Sequence, residues 1–539
     1  MKRFTIRDYT IIPPFGESAR ELRILNKPLW LLQRDLLKSH CKGSFELDSI
    51  DELDEKISID SEELLVYRDN LFFNAELIDA FIAAARAFGR ACQIAFLATN
   101  KDQGQEGDKS IEKHALQLQS GIVPCANIAY HKDGDDHTGD VYIAQLYYFP
   151  ADSHAAPTPL VIDTLSGTMG YYHIPSYMAQ KGDLVYSVPL RAFMSIENWV
   201  HVFFANTPFG VFSWGRKQEI QMDGGRISKM TSWKAEDWRS LWAKIKLSFG
   251  ALVEKFNPLE DHWRKDHFLS SRALVTVGKN CSIDPTAIIH GPTVIGDNVY
   301  IGPGTVITNS MIGSNVNIMQ GSQVMLSVVS DRCFLPFNAG LFMTTLMENS
   351  MVAQNSTLQL CVVGRNTFIG ANNCFTDFNL QGEPIKVEHH GHLEEVNMPV
   401  LGSAVGHNVK IGSGFVVYPG RMIGSNTVII FRDEKHLISK GVPGLSPDDV
   451  NELTGEPQRI TYHWPNVYDP ATHQIIEPTQ EERQPSDKAV GQNGNGMDYT
   501  NSAEFGSATH EVETAATMQF LPKSASSMRV NATLGGIDL

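Results

Sequence analysis

The stretch VIGDNVYIGPGTVI, residues 294–307, sets isoleucine at 295, 301 and 307 and puts glycine after the first two. A period of six does not suit a flat sheet, where side chains change face with period two. A coil with three flat sides per turn does keep it. Each hexad makes one side, and its leading aliphatic residue points inward. Glycine and asparagine beside it supply the corner, where a positive φ is tolerated. Stacked turns bury a continuous aliphatic column, and each rung satisfies the backbone groups of its neighbour.

The hexads VGKNCS, IDPTAI, IHGPTV, IGDNVY and IGPGTV run from Val277, followed by ITNSM, one residue short, which ends at Met311. IGSNVN resumes at Ile312, VGRNTF, IGANNC and FTDFNL fill 363–380, and VGHNVK, IGSGFV, VYPGRM and IGSNTV fill 405–428. The pattern lapses at 331–350 and at 381–398, and both are read as breaks. The second carries His389, His390 and His392 and is expected to leave the coil as a loop, where repeat architectures tend to build sites.

The chain has 539 residues, enough for two or three domains. Its net charge of −16 argues against a general binder of nucleic acid or anionic membrane. No apolar run is long enough to cross a bilayer, and MKRFTIRDYTIIPPFGE has no signal-peptide core. Seven scattered cysteines without a CxxC pair read as reduced thiols in a cytoplasmic protein. SEELLVYRDNLFF reads as a strand, and Leu77, Phe81, Ile82 and Ala85 at helical spacing follow it, which suggests an α/β domain with a largely parallel sheet. The expected order is an α/β domain at 1–225, a helical linker at 226–273, the coil at 274–432, an extension at 433–479 and a disordered tail at 480–539.

The hexads resemble the hexapeptide-repeat family. The resemblance implies a left-handed parallel β-helix and a homotrimer with ligand sites between neighbouring coils. In front of it, TIIPPFGESARELRILNKPLW carries Gly16, Arg20 and Lys27-Pro28, and LLVYRD ends a strand on Asp69. That order is similar to the GxGTR loop, PKP-like segment and Gly-Asp strand end of the sugar nucleotidyltransferases. The whole resembles the bifunctional N-acetylglucosamine-1-phosphate uridyltransferase/glucosamine-1-phosphate acetyltransferase family. The likeness implies that Gly16, Arg20 and Lys27 hold nucleotide phosphates and that Asp69, with Asn206, binds Mg²⁺. The chain departs from the pattern at Pro13-Pro14, Ser18, Asn26 and Arg68. Asn397 stands where that family has its acetyl-transfer histidine, so His389, His390 or His392 is the candidate base toward an acyl-coenzyme A donor. Solvated loop histidines are the plain alternative. A zinc site like that of the γ-type carbonic anhydrases, drawing on these and His407, lacks that family's His spacing.

The sequence therefore suggests a sugar-phosphate or nucleotide-sugar transferase acting on small molecules, nucleotidyltransferase-like and acyltransferase-like, and leaves open whether one or both activities are lost. The alternative is a non-catalytic trimeric scaffold with a degenerate nucleotidyltransferase domain.

Overall fold

Two-residue strands are too short to hold themselves, so the repeat region must pair turn on turn. In the computed structural model it forms three ladders of eight, nine and eight strands, every pairing within them parallel. Apart from a few isolated positions, the residues described are 1–48, 62–151, 156–172, 184–218, 274–379, 383–431 and short pieces within 437–444 and 460–464. The architecture fits a left-handed parallel β-helix.

Through the middle of the coil successive turns are offset by 17 residues: Met311 pairs with Val328, Val328 with Thr345, and Thr345 with Val362. Two sides take six residues and the third takes five, which accounts for the short hexad ending at Met311. The inward column runs Ile301, Ile307, Ile312, Ile318, Val324, Val329 and continues without a gap through Leu335, Leu341, Leu346 and Val352, all buried. The expected break at 331–350 is therefore absent. Leucine replaces valine and isoleucine there, and the column asks only for an aliphatic side chain of suitable volume. The second break is real: Lys386–His389 and His392–Glu395 form an antiparallel hairpin, and the ladder resumes across it with Val362 paired to Ala404.

One corner of the coil is a line of asparagines with positive φ, Asn298, Asn315, Asn349, Asn366, Asn408 and Asn426. Their amides bond along the axis, from Asn349 to Asn366 and on to Asn408 at 3.1 Å each, and from Asn408 to Asn426 at 3.0 Å. Another corner breaks this rule. Leu326, Met343 and Leu360 take φ of 53°, 48° and 50°, and their side chains are buried outside the column, in the apolar cluster of the front domain.

That cluster explains how the two parts meet. Val328, Met347 and Val362 on the coil share it with Trp199, Phe203 and Phe204 of the helix Trp199–Asn206. Residues 1–477 form one compact unit. The front sheet has seven strands in the order Ile122–Lys132, Thr158–Val161, Cys92–Leu97, Asp135–Phe149, Leu64–Arg68, Lys2–Ile6, Gly43–Leu47. It is mixed: Asp135–Phe149 runs against its neighbours Leu64–Arg68 and Cys92–Leu97. The helix Ala75–Phe88 buries the expected Leu77, Phe81, Ile82 and Ala85 together with Ile78. Asn74 caps its start by accepting from the Leu77 N–H, and Gly89 at φ +67° ends it. The expected linker at 226–273 and tail at 480–539 lie outside the described residues. No described helix is long and apolar enough to cross a membrane.

Leu346 tests the continuity of the column. Replacing it by alanine should lower the unfolding free energy by about 2–5 kcal/mol, the range for a fully buried leucine. A loss below about 0.5 kcal/mol in urea titration, as for a surface loop, would show that 331–350 is not a rung.

Candidate functional site

The loop after the first strand was expected to cradle a phosphate. It is instead docked on the coil. Ile11–Ile12 pairs with Glu17–Ser18, and the N–H groups of Phe15 and Gly16 both donate to the Ile12 carbonyl, at 3.0 and 3.2 Å. Pro13 and Pro14 have no N–H to offer. The Pro14 carbonyl accepts from the Ser425 N–H at 3.2 Å, and the Ser425 hydroxyl lies 2.8 Å from that carbonyl and 3.0 Å from the next. Gly16, at φ +74°, makes the turn. Asn26 is likewise turned to the coil: its Nδ2 donates to the Val329 carbonyl and its Oδ1 accepts from Ser330. Lys27 pairs with Asp35 at 2.7 Å on the surface. Residues that depart from the nucleotidyltransferase pattern, Pro13, Pro14 and Asn26, thus lie in the segments that meet the coil.

Asp69 lies at the carboxyl end of its strand, 1% exposed. Its Oδ1 accepts from the Asp8 N–H at 2.8 Å, and its Oδ2 has Arg20 Nη1 and Arg7 Nε each at 3.5 Å. Both guanidiniums also reach toward Glu46. Burial pushes the Asp69 carboxyl up to about 6, against the pull of the Asp8 N–H and the arginines. Asn206 is occupied elsewhere: its Oδ1 accepts from the Leu25 N–H at 2.8 Å, and its Nδ2 lies 3.0 Å from the carbonyls of Arg23 and Val202. These residues do not fit Mg²⁺. Two fixed cations face the carboxylate where a metal would sit, and the expected second ligand is a strut of the front domain. Among the described residues no group of three or more metal-binding side chains is gathered.

His407, itself buried, is the centre of a partly buried charge cluster between the two parts. Its Nδ1 accepts from the Arg365 N–H at 2.8 Å, so the proton sits on Nε2, which lies 3.1 Å from Glu17 Oε1. Arg365 also pairs with Glu17 and stands 4.0 Å from Glu348, which holds Arg23 at 2.5 Å. The Phe15 ring packs 5.3 Å from the imidazole. Burial keeps His407 below its ordinary pKa, with Glu17 pulling the other way. Burial would raise Glu17, but its bonds to His407 and Arg365 outweigh that and hold it below 4.5. With both ring nitrogens engaged, His407 is a structural residue and not a ligand or base.

The hairpin separates its three histidines. His390 and His392 are exposed, whereas the His389 side chain is 11% exposed. Its Nδ1 is 3.2 Å from Glu394 Oε1 on the opposite strand, and its Nε2 is buried without a hydrogen-bond partner. The His390 ring leans on it at 4.0 Å. With the proton on Nδ1 toward the carboxylate, Nε2 is an acceptor, closed off from solvent in this structure. The hairpin meets the front domain where Asn198 Nδ2 donates to the Glu388 carbonyl at 3.3 Å. Asn397 is exposed at φ 55°, just past the hairpin. Glu394, Asn198, Glu17 and Arg365 went unmarked in the sequence. Only the period-two pattern of KVEHHGHLEE hints at a hairpin that sets 389 across from 392. Apart from these, an open cleft of about 390 Å³ lies on the front domain, lined in part by Lys109, Asp163, Ser166 and Arg216.

Comparison with known proteins bears out the repeat. Residues 275–309 match the family described as bacterial transferase hexapeptide (six repeats). No curated protein sequence matches the chain. Among solved structures, the polysialic acid O-acetyltransferase OatWY is similar at 16% identity, covering 44% of this chain and 98% of its own, with a TM-score of 0.18. UDP-N-acetylglucosamine acyltransferase from Campylobacter jejuni is similar at 15% identity, covering 30% of this chain and 68% of its own, with a TM-score of 0.17.

The charge cluster has a definite pH dependence. Glu17, held below its ordinary value, lends stability that is present above the unfolded pKa and lost as pH falls through the folded one. His407 is neutral in the fold but takes a proton when unfolded below about pH 6.5, so it too withdraws stability as pH falls. Glu17→Gln should cost about 1–3 kcal/mol at pH 7, because Arg365 loses a partly buried, charge-assisted partner. That deficit should shrink toward pH 4 in chemical denaturation. A deficit constant with pH would remove the charge explanation.

Proposed function

We propose that the chain is an acyltransferase-like hexapeptide protein in which His389 is the general base. The observation that carries this reading is the Glu394–His389 pair, with a buried Nε2 that has no hydrogen-bond partner. In the reaction, the acceptor hydroxyl or amine attacks the carbonyl carbon of an acyl-coenzyme A thioester as its proton moves to Nε2. The carbon–sulfur bond then breaks, and the proton passes to the leaving thiolate. Glu394 holds the ring and steadies the imidazolium that forms. The acceptor belongs to the sugar-phosphate or nucleotide-sugar class implied by the sequence resemblance. The homotrimer remains part of this proposal.

For the front domain the observations favour the second reading, a binding or scaffolding part without nucleotidyl transfer. Its phosphate loop is pinned to Ser425, and arginines fill the place of the metal at Asp69. Arg20 is the expected phosphate ligand whose guanidinium is tied to Asp69.

The test is release of free thiol from acetyl-coenzyme A in the presence of a panel of sugar phosphates and nucleotide sugars. His389→Asn should lower turnover by about 10²-fold or more, in keeping with loss of a general base. Glu394→Gln should lower it less, and His392→Asn not at all. Turnover equal in His389→Asn and the parent protein would sink the proposal.

A further inference from the structure

We infer that Asn198, at the start of the Trp199–Asn206 helix, is a positioning residue for His389, through which the front domain sets the histidine hairpin. The inference rests on the reading of His389 as a base.

Asn198 is 2% exposed and works in two directions. Its Oδ1 caps the helix by accepting from the Val200 N–H at 3.1 Å, and its Nδ2 reaches across to the Glu388 carbonyl at 3.3 Å. Glu388 precedes His389, so this bond restrains the peptide that aims the His389 side chain. Val387 on the hairpin is buried in the shared apolar core, and the Asn198 bond adds a directional restraint on the peptide before His389 beside that packing. A base displaced by about 1 Å can lose about 10²-fold in rate.

The anchor is itself rigid. The Asn198 and Glu197 N–H groups both donate to His201 Nδ1, at 3.0 and 2.9 Å, and His201 Nε2 is 2.6 Å from the Gln117 carbonyl. His201 is therefore a neutral ring with its proton on Nε2. Burial lowers its pKa, and the nearby His389 lowers it further. An imidazolium formed at His389 would thus face a neutral neighbour. The Glu197 carboxylate accepts from Ser195 Oγ at 2.6 Å, from the Ser120 and Gly121 N–H groups at 2.7 Å each, and from Ser120 Oγ at 2.8 Å. Asn70, next to Asp69, donates to Ser195 Oγ at 3.2 Å. The hairpin is thereby tied to the carboxyl edge of the front sheet by a run of hydrogen bonds, most of them partly buried.

The discriminating substitution is Asn198→Asp. Aspartate keeps the capping oxygen but removes the donor to Glu388. The first readout needs no turnover: the rate at which diethyl pyrocarbonate modifies His389, followed by peptide mass spectrometry. Loosening the hairpin should raise this rate by about fivefold or more, since modification tracks local opening, while exposed His137 keeps its rate. The second readout is acetyl transfer from acetyl-coenzyme A, where kcat should fall about tenfold with KM for the donor unchanged. If Asn198→Asp melts early, Asn198→Ser offers a capping hydroxyl without the amide. An unchanged His389 modification rate in a folded variant overturns the positioning role, whatever His389 does. Faster modification with turnover that is lost neither here nor in His389→Asn would instead overturn the base.

Discussion

A strand of two or three residues can satisfy its backbone only through the rung above and the rung below. This demand, met by three ladders in register, fixes the rest of the molecule. It holds each turn near 17 residues, sets one aliphatic side chain per side toward the axis, and puts asparagine at a corner whose amide can bond to the next. The column tolerates leucine in place of valine or isoleucine, so the chemistry of the repeat can fade while the geometry persists through 331–350. An insertion is tolerated only where the ladder can close again behind it, as Val362 and Ala404 do around the hairpin.

The same regularity makes the coil a platform. The corner of Leu326, Met343 and Leu360 repeats at the turn spacing and offers a row of apolar side chains instead of asparagine amides. Such a row on a water-facing corner would be costly. Here it lies in the buried cluster that also holds Trp199, Phe203 and Phe204, so the coil and front domain share a core. The charge cluster of Glu17, His407, Arg365, Glu348 and Arg23 gives this apolar contact a fixed register, because each buried charge must meet its partner.

Fixing the contact has chemical consequences. The loop at 11–18 has its carbonyls on Ser425 and its free N–H groups on Ile12, which leaves little for a triphosphate. Asp69 accepts from Arg20 and a backbone N–H and has the Arg7 charge beside it. Among the buried polar atoms without a hydrogen-bond partner is the His389 Nε2 on the inserted hairpin, whose ring lies beside Glu394 and whose backbone follows the Glu388 carbonyl held by Asn198. The base we propose thus stands on the coil's excursion, beside the front domain.

The sequence by itself determined what is local or periodic. The inward aliphatics, the asparagine corners, the capped helix at Ala75–Phe88 and the excursion at 381–398 all follow from spacing and residue type, because each is set by neighbours a few positions away or one turn on. Only the tertiary structure decided the fate of Gly16, Asp69, Asn206 and His407. Each looks available in the sequence, and each is occupied by a partner far along the chain: Ser425 beside the Gly16 loop, Arg7 and Arg20 at Asp69, Leu25 at Asn206, Glu17 at His407. The choice among His389, His390 and His392 was open for the same reason. What sets His389 apart from the two exposed histidines is a cross-strand carboxylate and a helix cap some 190 residues away, and no period in a sequence records such a meeting.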